Sequence, residues 1–122
     1  MKIKTSELKG AALDWAVAKI EGNVDSEGNP KTFRFTGSGR IAVREFAGPD
    51  MGYFTPSTNW AQGGPIIERE NIWTKPKGAF QVGERGEYLF IQTGPTPLVA
   101  AMRCFVASKL GDEVEILEKL LA

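Results

Sequence analysis

Two helical patterns stand near the ends of this 122-residue chain, and only short strand-like segments lie between them. In residues 10–21, apolar side chains recur at spacings of three and four, while Asp14 and Lys19 point elsewhere. Thr5 or Ser6 is the expected cap, and Gly22 the expected stop. The second pattern begins with Thr96 as cap and Pro97 as first helical residue, and ends at Leu110. The predicted buried stripes are Leu13, Ala16, Val17 and Ile20 in the first helix, and Leu98, Ala101, Met102, Phe105 and Val106 in the second.

The segments between the helices have the alternation and turn residues of short strands. Strands are predicted in residues 1–4, 32–36, 40–46, 72–73, 79–82 and 88–92, with 32–36 and 40–46 forming a hairpin. Because strands do not alternate with helices, a parallel doubly wound sheet is excluded. We predict one α+β domain over residues 1–122, in which a small antiparallel sheet packs against two main helices. The tail, 112–122, fits either strand or helix.

A long central loop is predicted over residues 47–64, where glycine, proline, small polar and aromatic residues replace any periodicity. Pro65 would then be the first residue of a short helix that continues to about Asn71. A loop of this length needs a functional or packing reason. It is therefore the first place to look for a binding site.

Composition narrows the function classes. Fifteen basic and fifteen acidic residues cancel, so no overall field draws the chain to nucleic acid or an anionic membrane. Histidine is absent and Cys104 is the single cysteine, which removes the usual zinc ligands and the usual hydrolytic base. We expect no cofactor, no disulfide, no membrane span and no signal peptide, and hence a cytoplasmic location. The carboxylates that magnesium-dependent catalysis would need stand at no diagnostic spacing: Asp14, Asp50, Glu68 and Glu70.

The segment 57–65, STNWAQGGP, has the composition of a recognition loop that leads into a helix. Trp60 offers a flat face to a base, and glycine N–H groups near a helix N-terminus favour a phosphate. Under the alternative interpretation Trp60 is a core residue and its polar neighbours cap turns. The candidate ligand-binding residues of this segment are Ser57, Thr58, Asn59, Trp60, Gln62, Gly63 and Gly64.

Three further candidates lie outside the loop. Arg69 could fork onto a phosphate, although an arginine between two glutamates is more often a solvated surface residue. Thr96 stands at a second helix N-terminus, where capping alone explains it. Arg103 interrupts the second apolar stripe, and the simpler interpretation is a side chain that reaches out to solvent.

Two other surfaces support different functions. Tyr53, Phe54 and Trp73 could anchor a host protein. Trp73 and Tyr88, together with three scattered basic residues, could stack and hold single-stranded nucleic acid, although Glu84 and Glu87 lie among them. The basic residues are Lys75, Lys77 and Arg85.

Three blocks of this chain resemble the NinX family of small tailed-phage proteins. They are ALDWAVAK at 12–19, STNWAQGGPIIERE at 57–70 and GPTPLVAAMRC at 94–104. The resemblance implies a phage accessory protein that acts inside an infected bacterium. In general character such proteins are similar to those that sequester the nucleotide signals of bacterial immune systems. The resulting hypothesis is a non-catalytic binder of a nucleotide-type molecule, with a second copy as a candidate to complete the pocket.

Overall fold

The computed structural model describes residues 1–21 and 55–116, together with the backbone of 33–35 and 41–43. Its elements confirm the α+β class. The helices are α1 (Gly10–Glu21), α2 (Trp60–Arg69) and α3 (Pro97–Leu110). The strands are β1 (Lys2–Lys4), β2 (Phe33–Phe35), β3 (Ile41–Val43), β4 (Ile72–Lys75), β5 (Gly78–Val82), β6 (Tyr88–Thr93) and β7 (Glu113–Glu115).

Helix α3 is the centre of the core. It contacts α1, α2 and all three strands β4, β5 and β6, so every residue from Leu98 to Ala107 is buried. The predicted stripe was therefore too narrow. A helix covered by a sheet on one side and by other helices on the opposite side is apolar around its whole circumference.

The described strands form three separate antiparallel sheets rather than the one predicted sheet. The hairpin β2–β3 is confirmed, and β4, β5 and β6 form a meander in that order. The third sheet pairs β1 with β7, with Ile3 opposite Val114. Thr5, predicted as a helix cap, instead donates its hydroxyl to the carbonyl oxygen of Gly111 at 2.6 Å. It lies in a separate 3₁₀ turn, Thr5–Glu7, ahead of α1.

Helix α2 begins five residues earlier than predicted. The side chain of Asn59 accepts a hydrogen bond from the Ala61 N–H at 2.9 Å, which caps the helix at Asn59. Pro65 thus lies inside the helix, not at its first position. Proline there removes one backbone donor, but the asparagine cap and the burial of Ile66 hold the helix together. The part of the predicted loop at 47–54 lies outside the described residues.

Within the described residues, no helix has both the length and the apolar character needed to cross a bilayer.

Candidate functional site

Trp60 is the exposed aromatic residue at the amino end of α2. Its side chain is 54% exposed, and its neighbours Thr58 and Asn59 are exposed as well. The interpretation of Trp60 as a core residue is therefore wrong. The first N–H groups of a helix lack intrahelical partners. Here Asn59 accepts from the N–H groups of the three residues that follow Trp60. Its side chain binds the Ala61 N–H, and its carbonyl oxygen accepts from Gln62 at 3.1 Å and from Gly63 at 2.9 Å.

Ser57 has a structural role. Its side chain is buried, and its N–H donates to Oδ1 of Asp14 at 2.9 Å, which joins the turn before α2 to the middle of α1. Asp14 itself is buried, so the prediction that it points away from the core was wrong. The Ser57 hydroxyl lies near this carboxyl. It makes no hydrogen bond of good geometry with any of the described residues.

Burial raises the pKa of Asp14 from its usual 3.8 to about 6, and the nearby Ser57 groups offset only part of that shift. An acid whose pKa rises on folding destabilises the fold once it ionises. The free energy of unfolding begins to fall near pH 4, where Asp14 loses its proton in the unfolded chain. The decrease is complete above pH 6, where Asp14 is ionised in the folded protein as well.

We therefore expect the protein to gain on the order of 1 kcal/mol of stability from this group between pH 7 and pH 5. The comparison is urea unfolding at the two pH values for the wild type and Asp14→Asn. The asparagine keeps an oxygen that can accept from the Ser57 N–H, but its side chain does not titrate. An equal pH response in both proteins would mean that Asp14 is not the group that titrates.

The glycine and glutamine candidates in α2 mainly hold the helix in place. Gln62 accepts a hydrogen bond from the Thr55 N–H at 2.6 Å. Gly63 is buried, and a side chain there would meet the Pro56 carbonyl oxygen and Leu98 Cδ1, both at 2.6 Å. Gly64, in contrast, faces open space. Of this pair, only Gly64 has room to approach a ligand.

Arg69 connects the three helices at one end of the fold. Its guanidinium forks onto the Glu21 carboxylate with contacts of 2.5 and 3.1 Å, and its Nε donates to Glu70 at 3.0 Å. These two acceptors raise the pKa of Arg69. Lys109 of α3 pairs with the same Glu70 at 3.2 Å. The guanidinium also lies 5.6 Å from the centre of the Phe105 ring. A ligand phosphate at Arg69 would have to displace Glu21.

The two candidates in the third block also bind within the fold. The Thr96 hydroxyl accepts from the Val99 N–H at 3.1 Å, which confirms it as the cap of α3. Arg103 does not reach solvent, contrary to the simpler interpretation. It is buried, and it donates to the carbonyl oxygens of Leu8 and Thr93 at 2.7 and 2.8 Å. Burial lowers the pKa of Arg103.

Four of the ten candidates thus remain together at the amino end of α2: Thr58, Asn59, Trp60 and Gly64. Arg69 and Thr96 are exposed as well, but their side chains bind within the fold. The cysteine thiol and the carboxylates that catalysis or metal binding would need do not form a cluster at the amino end of α2 in the part of the chain that the structure describes. Cys104 is fully buried, which raises its pKa to about 12 and keeps the thiol protonated. Asp14 lies in α1 and Glu70 follows the last residue of α2, and no group of three potential metal-ligating side chains occurs among the described residues. Asp50, Tyr53 and Phe54 lie outside those residues.

A second exposed aromatic surface lies on the face of the β4–β5–β6 sheet that is turned away from α3. Ile72 and Ala79 are buried toward α3, so their strand neighbours Trp73 and Phe80 point to the other side. Trp73 is 59% exposed and Tyr88 is 68% exposed. The sequence indicated the aromatic residues, but not that Ile91, 61% exposed, would join them at the edge. We call this surface the outer sheet face; it comprises Trp73, Lys75, Phe80, Val82, Tyr88 and Ile91.

The fold and its exposed residues define a small α+β protein with two aromatic surfaces, one at the amino end of α2 and one on the outer sheet face. A family model described as bacteriophage P22 NinX matches residues 4–109 of this chain. The chain therefore belongs to the NinX family of phage proteins, and the match covers α1, α2, the meander and nearly all of α3. No curated protein is similar enough to the chain to give a match.

Proposed function

We propose that this phage protein binds a nucleotide-type small molecule at the amino end of α2 and holds it without chemical change. Sequestering such a molecule would counter a nucleotide-signalled defence of the host bacterium. The observation that carries the proposal is the exposed indole of Trp60 beside a helix N-terminus, where the helix dipole favours an anion. Stacking on an exposed aromatic ring stabilises a bound base by about 1–3 kcal/mol.

Each surface residue has a defined part in this proposal. Trp60 stacks the base, and the exposed side chains of Thr58 and Asn59 contact its edge or the ribose. The Asn59 oxygen is engaged by the Ala61 N–H, so the asparagine contributes its amide donor. Gly64 lets the ligand approach the helix closely because the space that a side chain would occupy there is open. Arg69, Thr96 and Arg103 support this surface through the fold, since their polar atoms already have protein partners.

The direct test is native mass spectrometry of the purified protein after incubation with nucleotide extracts of bacteria whose nucleotide-signalling defences are active. Heat release then identifies any retained molecule. We expect a nucleotide that returns unaltered, and the intact mass reports whether one copy or two hold it. A released product that differs from the added compound would indicate an enzyme and contradict the proposal.

Replacing Trp60 with alanine should weaken retention by about 5-fold to 150-fold, because it removes a stacking contribution of about 1–3 kcal/mol. Trp73→Ala is the matched control, since it removes an equally exposed tryptophan from the other surface. Retention is measured by titration of the identified nucleotide against both variants and the wild type. If the two variants bind alike, the nucleotide does not lie on Trp60.

A further inference from the structure

The outer sheet face is independent of the Trp60 surface, and the described elements leave it uncovered. Antiparallel sheets commonly have one face on the core and a polar face in water. Here the solvent side instead carries aromatic and aliphatic side chains, including Trp73, Tyr88 and Ile91. Exposed aromatic rings on the face of a sheet offer flat apolar surfaces on which another ring can stack.

The aromatic side chains form a row across the three strands. Trp73 of β4 lies opposite Phe80 of β5, and the rings of Phe80 and Tyr88 are 4.6 Å apart with a tilt of 48°. Strands lie about 4.8 Å apart, so the row is about 10 Å wide. In RNA-binding domains with an open sheet face, aromatic side chains on neighbouring strands stack two or three bases.

The largest ring in the row is held in position. The indole Nε1 of Trp73 donates to Oδ1 of Asn71 at 3.3 Å. Asn71 is itself fixed, because its Nδ2 donates to the Val82 carbonyl oxygen at 3.0 Å and its backbone accepts from the Val82 N–H. It adopts a φ of 54°, which asparagine tolerates better than most residues. A ring that is oriented before binding loses little freedom when a base stacks on it.

The charges on this face suit a phosphate backbone. Lys75 shares the face with Trp73, and Lys77 lies in the turn that joins β4 to β5. No strand position of the outer face carries an acidic residue. Glu84 and Glu87 lie in the β5–β6 turn with Arg85, and the Glu87 carboxylate accepts from the Arg85 N–H at 3.0 Å. The two lysines thus lie on the side of the aromatic row that faces the β4–β5 turn.

Two features argue against a second copy of the chain as the occupant. The face measures about 10 by 17 Å, far below the roughly 800 Å² per partner of a standard protein interface. The free edge of β6 is also irregular, because Phe90 adopts a φ of 49° where the β5–β6 register shifts. A bulge of this kind bends an edge strand and prevents regular pairing with another strand.

We propose that the outer sheet face binds single-stranded nucleic acid, with bases stacked on Trp73, Phe80 and Tyr88 and phosphates near Lys75 and Lys77. This proposal does not depend on the nucleotide site at Trp60. Because the contacts are to ring faces and phosphates, we expect little sequence preference.

The test is fluorescence anisotropy with labelled thymidine and uridine oligonucleotides of about 12 nucleotides, a length within the usual range of site sizes. We expect binding to both at low salt and weaker binding to a duplex of the same length. Trp73→Ala and Tyr88→Ala should each weaken binding by about 5-fold to 150-fold. Leu110→Ala is the control, because it removes an exposed apolar side chain at the end of α3, outside both aromatic surfaces, and it should bind like the wild type.

Lys75→Ala should reduce the slope of log affinity against log salt by about 0.7, the value for one neutralised phosphate of a single strand. Lys9→Ala, which removes an exposed lysine from the start of α1, should leave the slope unchanged. Circular dichroism and thermal unfolding establish that each variant is folded.

Absence of binding at low salt, or equal binding by the Trp73, Tyr88 and Leu110 variants, would overturn the proposal. Sedimentation gives a second outcome that overturns it. A wild type that is dimeric, with a monomeric Trp73→Ala variant, would assign the face to a second copy of the chain. Nucleotide retention at Trp60 is measured with a different probe and a different variant, so either proposal can fail without the other.

Discussion

Replacing Arg103 with alanine should lower the free energy of unfolding by about 2–4 kcal/mol. Arg103 donates to the carbonyl oxygens of Leu8 and Thr93, which lie 95 and 10 residues away in sequence. The substitution leaves both acceptors without this donor. The bond to Leu8 is buried and the bond to Thr93 is partly buried, and a buried group that loses its partner costs about 1–3 kcal/mol. It also removes the side chain that joins α3 to the connection before α1 and to the end of β6.

The matched control is Arg69→Ala, which removes an arginine whose side chain is 49% exposed. Exposed ion pairs contribute about 0–1 kcal/mol, so this variant should remain close to the wild type. Urea unfolding of both variants at pH 7 gives the comparison. Arg103→Lys should fall between the wild type and Arg103→Ala, because an ammonium keeps a donor but lacks the planar fork. Equal stabilities of the two alanine variants would show that the buried hydrogen bonds of Arg103 contribute no more than a surface ion pair.

Alanine substitutions at the adjacent glycines of α2 should have opposite effects. At Gly63 a new Cβ would stand 2.6 Å from the Pro56 carbonyl oxygen and from Leu98 Cδ1, so the helix must move away from α3. Overpacking of this kind costs about 1–3 kcal/mol. At Gly64 the added carbon meets nothing within 4 Å, and alanine should raise stability by about 0.5–1 kcal/mol through its better helix propensity.

Thermal unfolding of the two variants under the same conditions measures this difference. Each protein is the control for the other, because the chemical change is identical and the positions are consecutive. Stabilisation by Gly63→Ala would mean that α2 does not pack against α3 at the separation described here. Destabilisation by Gly64→Ala would mean that the open side of α2 is covered.

The order and bounds of most elements could be predicted because they depend on local patterns. Helix α1 begins and ends at the predicted residues, and Thr96 with Pro97 starts α3 as expected. The start of α2 could not be predicted in this way, because two local signals competed. Asn59 is a good cap and Pro65 is a good first residue, and only packing of Gly63 against Leu98 favours the earlier start.

The separation into three sheets also depends on contacts between distant residues. Nothing near Lys2–Lys4 indicates that its partner is β7 and not one of the central strands. The candidate binding residues show the same limit. The segment 57–64 was predicted as a loop because it is polar, yet the polarity of Ser57, Asn59 and Gln62 serves caps and buried hydrogen bonds. Composition cannot separate a polar group that holds the fold from one that holds a ligand.

The pairing of β1 with β7 has a consequence for how the chain folds during synthesis. Lys4 pairs with Glu113, and the nearby contact from Thr5 to Gly111 spans 106 residues. Contacts between such distant positions form slowly, because a long segment must be closed before they are gained. Strand β1 leaves the ribosome before β7 and cannot pair with it until β7 follows. The β1–β7 sheet therefore cannot form until residues 113–115 have been translated, after every other described helix and strand has become available for packing.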